Sequence, residues 1–322
     1  MRRNALKGLR KYEAAQRPNA IAHGIVRSRT GAAQLLQLDA QQKRGGAAVV
    51  LIPSLVNSHH ILDLTEKTSL ARYLSAQGHD PWLVDWGYPV AEDRELDIAG
   101  HIEHRLLPLL RSIDRPLILV GYCLGGTMTI AAAQIAKPRA VATIAAPWHF
   151  DRYPPEDIDR ISGLWRDAKP LCERLGFVPM EVLQSGFWAL DPTRTVRKYA
   201  AFADLEDGSE GQRAFLAVED WANDGAPLTF AAAEDLFERL YAANMTGAGQ
   251  WRVGGQAIDP AKLECPNFSI LSATDKIVPA ASSPGLTQSF ESSLGHVGMI
   301  VSAKAPKQIW TRLSQWLSDN GG

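Results

Sequence analysis

No apolar run in this 322-residue chain approaches the ~18–20 residues that cross a bilayer, so no transmembrane segment is expected. The amino terminus lacks the apolar core of a secretion signal, and no signal peptide is expected. Charge of one sign is lacking as well. Lys and Arg number 34 against 35 Asp and Glu, a net charge of −1, which leaves no basic field for nucleic acid and no acidic solvating tail. Cysteine is scarce. Cys123, Cys172 and Cys265 make an odd count without metal-type clustering, so no metal site is expected. That usage fits a reducing cytosol and a reactive thiol. There is no G-x-x-x-x-G-K-[ST] loop and no dinucleotide fingerprint, and no bound cofactor is expected. Internal repeats and low-complexity tracts are missing too.

What is present centres on Pro116–Met128. A short apolar run ends in Gly121-Tyr122-Cys123-Leu124-Gly125-Gly126, then restarts as an Ala-rich segment of good helix formers. That reads as buried strand, sharp turn and helix, with G-x-C-x-G as the Cys form of the G-x-S-x-G nucleophile elbow. The spacing has a mechanical cause. Strand and helix pass close together on either side of a strained corner, and Gly121 and Gly125 have no Cβ to collide there. Cys123 would stand at the start of the new helix. The Leu124 N–H would then point at an oxyanion formed on an attacked carbonyl.

Strands alternate with helices up to about residue 147. Strands are expected at 34–38, 47–52, 82–86, 117–121 and 140–145, with helices over 61–77 and 97–112. The alternation then gives way to helical segments and resumes with strands near 266–273 and 289–294 and a closing helix over 305–317. The fold class is therefore α/β: an α/β-hydrolase fold, a mostly parallel central sheet with an inserted helical lid. Residues 1–30 are expected to be a basic, peripheral segment, 31–147 and 261–322 the core, and 148–260 the lid. The basic terminus reads as a solvated, frayed end, with a short amphipathic helix against an anionic or apolar surface as the alternative. The lid aromatics, Trp165, Trp188, Phe202, Phe215, Trp221 and Phe230 among them, pack the lid or line an apolar acyl site.

Catalytic residues on such a fold follow the order nucleophile, acid, His. Cys123, Asp275 and His296 stand in that order, each just after an expected strand. His296 takes the thiol proton and later returns one to the leaving group, and Asp275 fixes its tautomer. The loop after Ile52 should supply the second oxyanion N–H, from Val56 or Asn57. Tyr122, His59 and Lys276 are candidate substrate contacts, although His59 and His60 also read as mere lid contacts. Asp85 reads as a structural hydrogen-bonding residue near the site.

At these residues the sequence resembles the polyhydroxyalkanoate synthases. The matching blocks are Val56-Asn57 with Ile61–Leu64, Leu83–Pro89, Gly121–Thr127, Ala273–Pro279 and Gly295–Met299, in family order. The resemblance implies an acyltransferase that polymerises hydroxyacyl-CoA through a Cys123-bound thioacyl intermediate, with CoA thioester as substrate and Asp275 and His296 as partners. It points to the shorter catalytic-subunit type, which works with a second, non-catalytic protein. A homodimer is the alternative, and a cytoplasmic location at the surface of storage granules follows. The family usually has His after the catalytic Asp, where this chain has Lys276. Two other readings share the fold: a Cys-dependent thioesterase, esterase or polyester depolymerase, and a non-catalytic granule-associated binding protein.

Overall fold

A computed structural model describes residues 1–17, 21–38, 46–190 and 192–321. Its centre is an eight-stranded sheet: β1 (Ile25–Thr30), β2 (Ala33–Gln37), β3 (Ala48–Ile52), β4 (Asp80–Asp85), β5 (Leu117–Tyr122), β6 (Ala140–Ile144), β7 (Asn267–Ser272) and β8 (Gln288–Ser292). The spatial order is β1-β2-β4-β3-β5-β6-β7-β8. β1 and β2 form an antiparallel hairpin, β2 pairs antiparallel with β4, and every later pairing is parallel.

Side chains of the central strands alternate between two covered faces. Val50, Ile52 and Leu119 join one core cluster, with Ile98, Leu106 and Met128 from the helices on that side. Val49, Leu51, Ile118 and Val120 join the other, with Leu70, Leu74, Trp310 and Leu317. All five residues of β3 are buried, which is why it reads as a continuous apolar run rather than an alternating one. Each such aliphatic side chain contributes about 1.5–3 kcal/mol by leaving water.

The sheet begins earlier than the sequence suggests. β1 lies within 1–30, so only the stretch before Ile25 is peripheral to the core. Residues 18–20 of that segment lie outside the described residues. The terminus is not frayed: Arg2–Ala14 is a helix packed on the lid helix Pro192–Phe202. Gly8 is the point of closest approach, where a Cβ would collide with the Tyr199 carbonyl. Lys11 Nζ donates to the Leu205 carbonyl and lies 2.9 Å from Asp207. Tyr12 Oη donates to Asp220 at 2.6 Å, and Arg17 grips the same carboxylate at 3.0 Å.

The expected helix over 61–77 also differs. Residues His59–Leu62 make one 3-10 turn, and the α-helix spans only Leu70–Ala76. Between them Asp63 bridges to Ser69, and the Ser69 hydroxyl accepts from the Arg72 N–H to cap the helix. Between β6 and β7 the chain is chiefly helical: Pro155–Leu175, Met180–Leu190, Pro192–Phe202, Glu210–Asn223 and the continuous run from Phe230 to Ala242. Gly176, at φ 75°, stops the first of these in a left-handed cap, its N–H bonded to the Cys172 and Glu173 carbonyls. Trp221 Nε1 donates to the Ser58 carbonyl at 2.9 Å, tying these helices to the loop after β3.

Candidate active site

The elbow forms as its glycines require. Cys123 sits between β5 and the helix Leu124–Ala136 at φ 55° and ψ −131°, a conformation strained for any residue with a Cβ. A Cβ on Gly121 would meet Gly126 Cα at 2.5 Å, and one on Gly125 would run into the carbonyls of Ile52 and Pro53. One on Gly126 would meet the Ala146 methyl at 2.5 Å. The corner is therefore packed from three sides, and Cys123 is held by its N–H bond to the Ile144 carbonyl at 2.9 Å.

β7 and β8 deliver the other two groups. Asp275 follows β7, and its side chain is fully buried. His296 follows β8. His296 Nδ1 lies 2.7 Å from Asp275 Oδ2. Asp275 Oδ1 accepts from the Ile277 and Val278 N–H groups at 2.7 and 2.9 Å. Cys123 stands close enough for its charge to act on the His296 ring. Burial by itself would push the imidazolium pKa down. The Cys123 charge and the hydrogen bond the ring makes to the Asp275 carboxylate outweigh it, and the ring is raised to about 10. Three residues from three strand ends, 152 and 21 positions apart in the chain, are thus brought together.

Leu124 opens the helix, where a first-turn N–H has no intrahelical acceptor, and it faces the corner with the dipole behind it. Of the two expected partners in the loop after β3, the Val56 N–H is already engaged by Ser54 Oγ at 3.0 Å. Among the described residues the Asn57 N–H has no protein acceptor. Asn57 adopts φ 69° and anchors its amide on the Ala222 carbonyl at 3.3 Å.

The candidate substrate contacts separate. Tyr122 is buried beneath the imidazole, ring centroids 5.2 Å apart, with its hydroxyl donating to the His296 carbonyl at 3.4 Å. Tyr122 thus packs against His296 from within the core. His59 is also turned away, with Nδ1 3.0 Å from Asp85 Oδ1. Asp85 is held in turn by the Gly87 N–H at 2.9 Å and by Gln34 at 3.0 Å. Lys276 lines a cavity of about 60 Å³ beside the relay, together with Val56, Ile161, Leu183 and Ile277. Sequence reasoning missed two residues on that wall, Tyr153 and Tyr241. Burial raises both phenols far above the usual range, and the Cys123 charge adds to the shift. The Tyr153 hydroxyl is buried without a well-formed hydrogen bond; Ser282 and Tyr241 are its polar neighbours. The one local signal was Tyr153-Pro154-Pro155, a helix entry that fixes the ring just before the first lid helix.

Nucleophile elbow, relay order and strand order together define the class. The chain belongs to the alpha/beta hydrolase family, whose profile matches residues 49–280. Within that class its sequence is similar to poly(3-hydroxyalkanoate) polymerase subunits PhaC. It is 27% identical to that of Haloferax mediterranei over 84% of this chain and 58% of the relative. It is 25% identical to that of Haloarcula marismortui over 89% and 65%, and 29% identical to that of Allochromatium vinosum over 84% and 80%. The chain thus spans less than two thirds of the two archaeal relatives. Among solved structures, E-2-(acetamidomethylene)succinate hydrolase aligns with TM-score 0.51 at 16% identity, covering 92% of this chain and all of that one. An aryl esterase from Burkholderia cenocepacia aligns with TM-score 0.50 at 14% identity, covering 91% and 98%. These likenesses concern the fold.

Proposed function

We propose that the chain is an acyltransferase of the polyhydroxyalkanoate synthase type. Cys123 attacks the thioester carbonyl of a hydroxyacyl-CoA, and His296 accepts the thiol proton. The tetrahedral oxyanion lies against the Leu124 and Asn57 N–H groups. Collapse breaks the C–S bond to CoA, His296 protonates the departing thiolate, and a Cys123 thioacyl enzyme remains. A second hydroxyacyl group then attacks the thioacyl carbonyl through its hydroxyl, giving its proton to His296; the C–S bond to Cys123 breaks, the ester forms and the Cys123 thiolate is regenerated. No cofactor enters these steps.

The observation that carries this reading is the Cys123–His296–Asp275 relay beside a small, mainly apolar cavity roofed by helices. Chain transfer to an alcohol competes with 55 M water, so deacylation needs a site that keeps water out. Similarity to polymerase subunits favours synthesis over hydrolysis. In this reading the Tyr153 hydroxyl is available to an oxygen of the acyl group, and Lys276 stands at the cavity edge. A second, non-catalytic subunit and attachment to storage granules in the cytoplasm are part of the proposal. Among the described residues no helix is long and apolar enough to cross a membrane.

The test follows free CoA alongside polymer after hydroxybutyryl-CoA is supplied. Insoluble polyester with stoichiometric CoA is the expected result. CoA release with monomeric acid alone would make the enzyme a thioesterase. Unchanged turnover after Cys123→Ala would remove the thiol from the chemistry.

A further inference from the structure

A second cluster of chemistry-bearing side chains stands apart from the relay. His23 precedes β1, and His59 and His60 open the turn after β3, 36 positions later. Their rings meet: His23 stacks on His60 with centroids 4.3 Å apart, and His59 lies edge-on to His60 at 4.4 Å. One ring nitrogen from each falls within 4.8 Å of the others. We propose that His23, His59 and His60 bind a divalent transition metal of the zinc class, with a fourth position open to water.

The surroundings favour a ligand set over simple packing. His23 Nδ1 lies 3.0 Å from Asp63 Oδ2, and His59 Nδ1 lies 3.0 Å from Asp85 Oδ1. A carboxylate at Nδ1 selects the Nδ1–H tautomer and leaves the Nε2 lone pair free, the outer-sphere arrangement typical of metal-bound His. Both carboxylates are themselves fixed. Arg72 Nε donates to Asp63 at 2.7 Å, and the same guanidinium holds the Ala22 carbonyl at 2.6 Å, which pins the backbone beside His23. Among the described residues, no protein group hydrogen-bonds the His60 ring or Nε2 of His23 or His59. Lone pairs without donors in a part-buried hollow make an electron-rich pocket. Three neutral imidazoles suit Zn²⁺, Co²⁺, Ni²⁺ or Cu²⁺, and not the oxygen-seeking Mg²⁺ or Ca²⁺.

A tetrahedral zinc site with bonds of ~2.1 Å sets its nitrogens about 3.4 Å apart. Binding therefore draws the rings together by about 1 Å and tilts His23 off His60. The metal would clip the segment before β1 to the loop that carries Val56 and Asn57, outside the chemistry at Cys123. Neighbouring His59-His60 was visible in the sequence. The distant His23 was not, so the expectation of no metal site rested on spacing alone.

Tag-free, chelator-stripped full chain is titrated with Co²⁺ and then Zn²⁺, in wild type and in Cys123→Ala, so that the reactive thiol cannot supply a ligand. The expected result is one Co²⁺ per chain with visible d–d absorption and no thiolate charge-transfer band, displaced by Zn²⁺, with Tm raised by the metal. His23→Ala and His60→Gln, each checked for native circular dichroism, should weaken binding at least about tenfold and abolish the Tm gain. Substoichiometric uptake by wild type, loss of the signal in Cys123→Ala, or unchanged affinity in both histidine variants would each overturn the site.

Discussion

Asp275 holds His296 with one oxygen and its own loop with the other. Oδ2 meets Nδ1 at 2.7 Å while Oδ1 takes two backbone N–H groups. The carboxylate cannot swing without breaking the loop, so the imidazole is oriented before substrate arrives. Asp275→Asn keeps the shape but offers a donor on one side and favours the wrong tautomer. We expect kcat to fall about 10³–10⁴-fold with native circular dichroism retained. A rate within tenfold of wild type would remove Asp275 from the relay.

The elbow makes a stability prediction at Gly125. A methyl there runs into the Ile52 and Pro53 carbonyls, which are backbone and cannot rotate away. Gly125→Ala should cost about 3 kcal/mol in urea unfolding, at the upper end for overpacking, and lower thiol reactivity by displacing Cys123. Wild-type stability would show that β3 and the helix are less tightly apposed than described.

His296 supplies the pH prediction. Its folded pKa of about 10 lies above the ~6.5 of an unfolded His. A raised value stabilises the protonated folded form, so this contribution is complete below about pH 6.5 and is lost as pH rises through about 10. Burial opposes the shift, and Cys123 is the first of the groups that raise it. An NMR titration should therefore find the ring titrating well above 6.5 in wild type and clearly lower in Cys123→Ala. Identical titrations would break the proposed thiol–imidazole coupling.

Tyr153 separates binding from chemistry. Its buried hydroxyl lacks a good partner, so Tyr153→Phe should leave stability equal or slightly higher, since no satisfied hydrogen bond is lost. If that hydroxyl meets the acyl group, KM for hydroxybutyryl-CoA rises several-fold while kcat changes less. An unchanged KM would assign the residue to packing.

Legibility in the sequence followed locality. The elbow could be read because Gly121, Gly125 and Gly126 act within five residues of Cys123 and each answers one steric demand. The nearness of Asp275 and His296 could be read because this fold presents side chains at strand ends: Asp275 follows an apolar strand, and His296 follows a short polar one, Gln288–Ser292, before a Gly. The segment over 61–77 misled because its helical spacing says nothing of Asp63 bridging Ser69 or being gripped by Arg72. β1 was hidden because Ile25–Thr30 is an edge strand with two arginines, mostly exposed, and carries little apolar signal. The Val56 N–H was lost to Ser54 through a turn that residue types alone do not distinguish. Tyr122 was read without its place beneath His296, and Tyr153, on the cavity wall, was not singled out, because orientation at a strand end depends on which face the helices cover.

The docked amino-terminal helix makes residue 1 mechanically part of the roof. Gly8, Lys11, Tyr12 and Arg17 fasten it to the helical region between β6 and β7. Any motion that admits a CoA thioester by lifting those helices must carry this helix along. A fluorophore on Met1 paired with one on the strand framework would then report each opening as a change in energy transfer, without touching the reactive pocket.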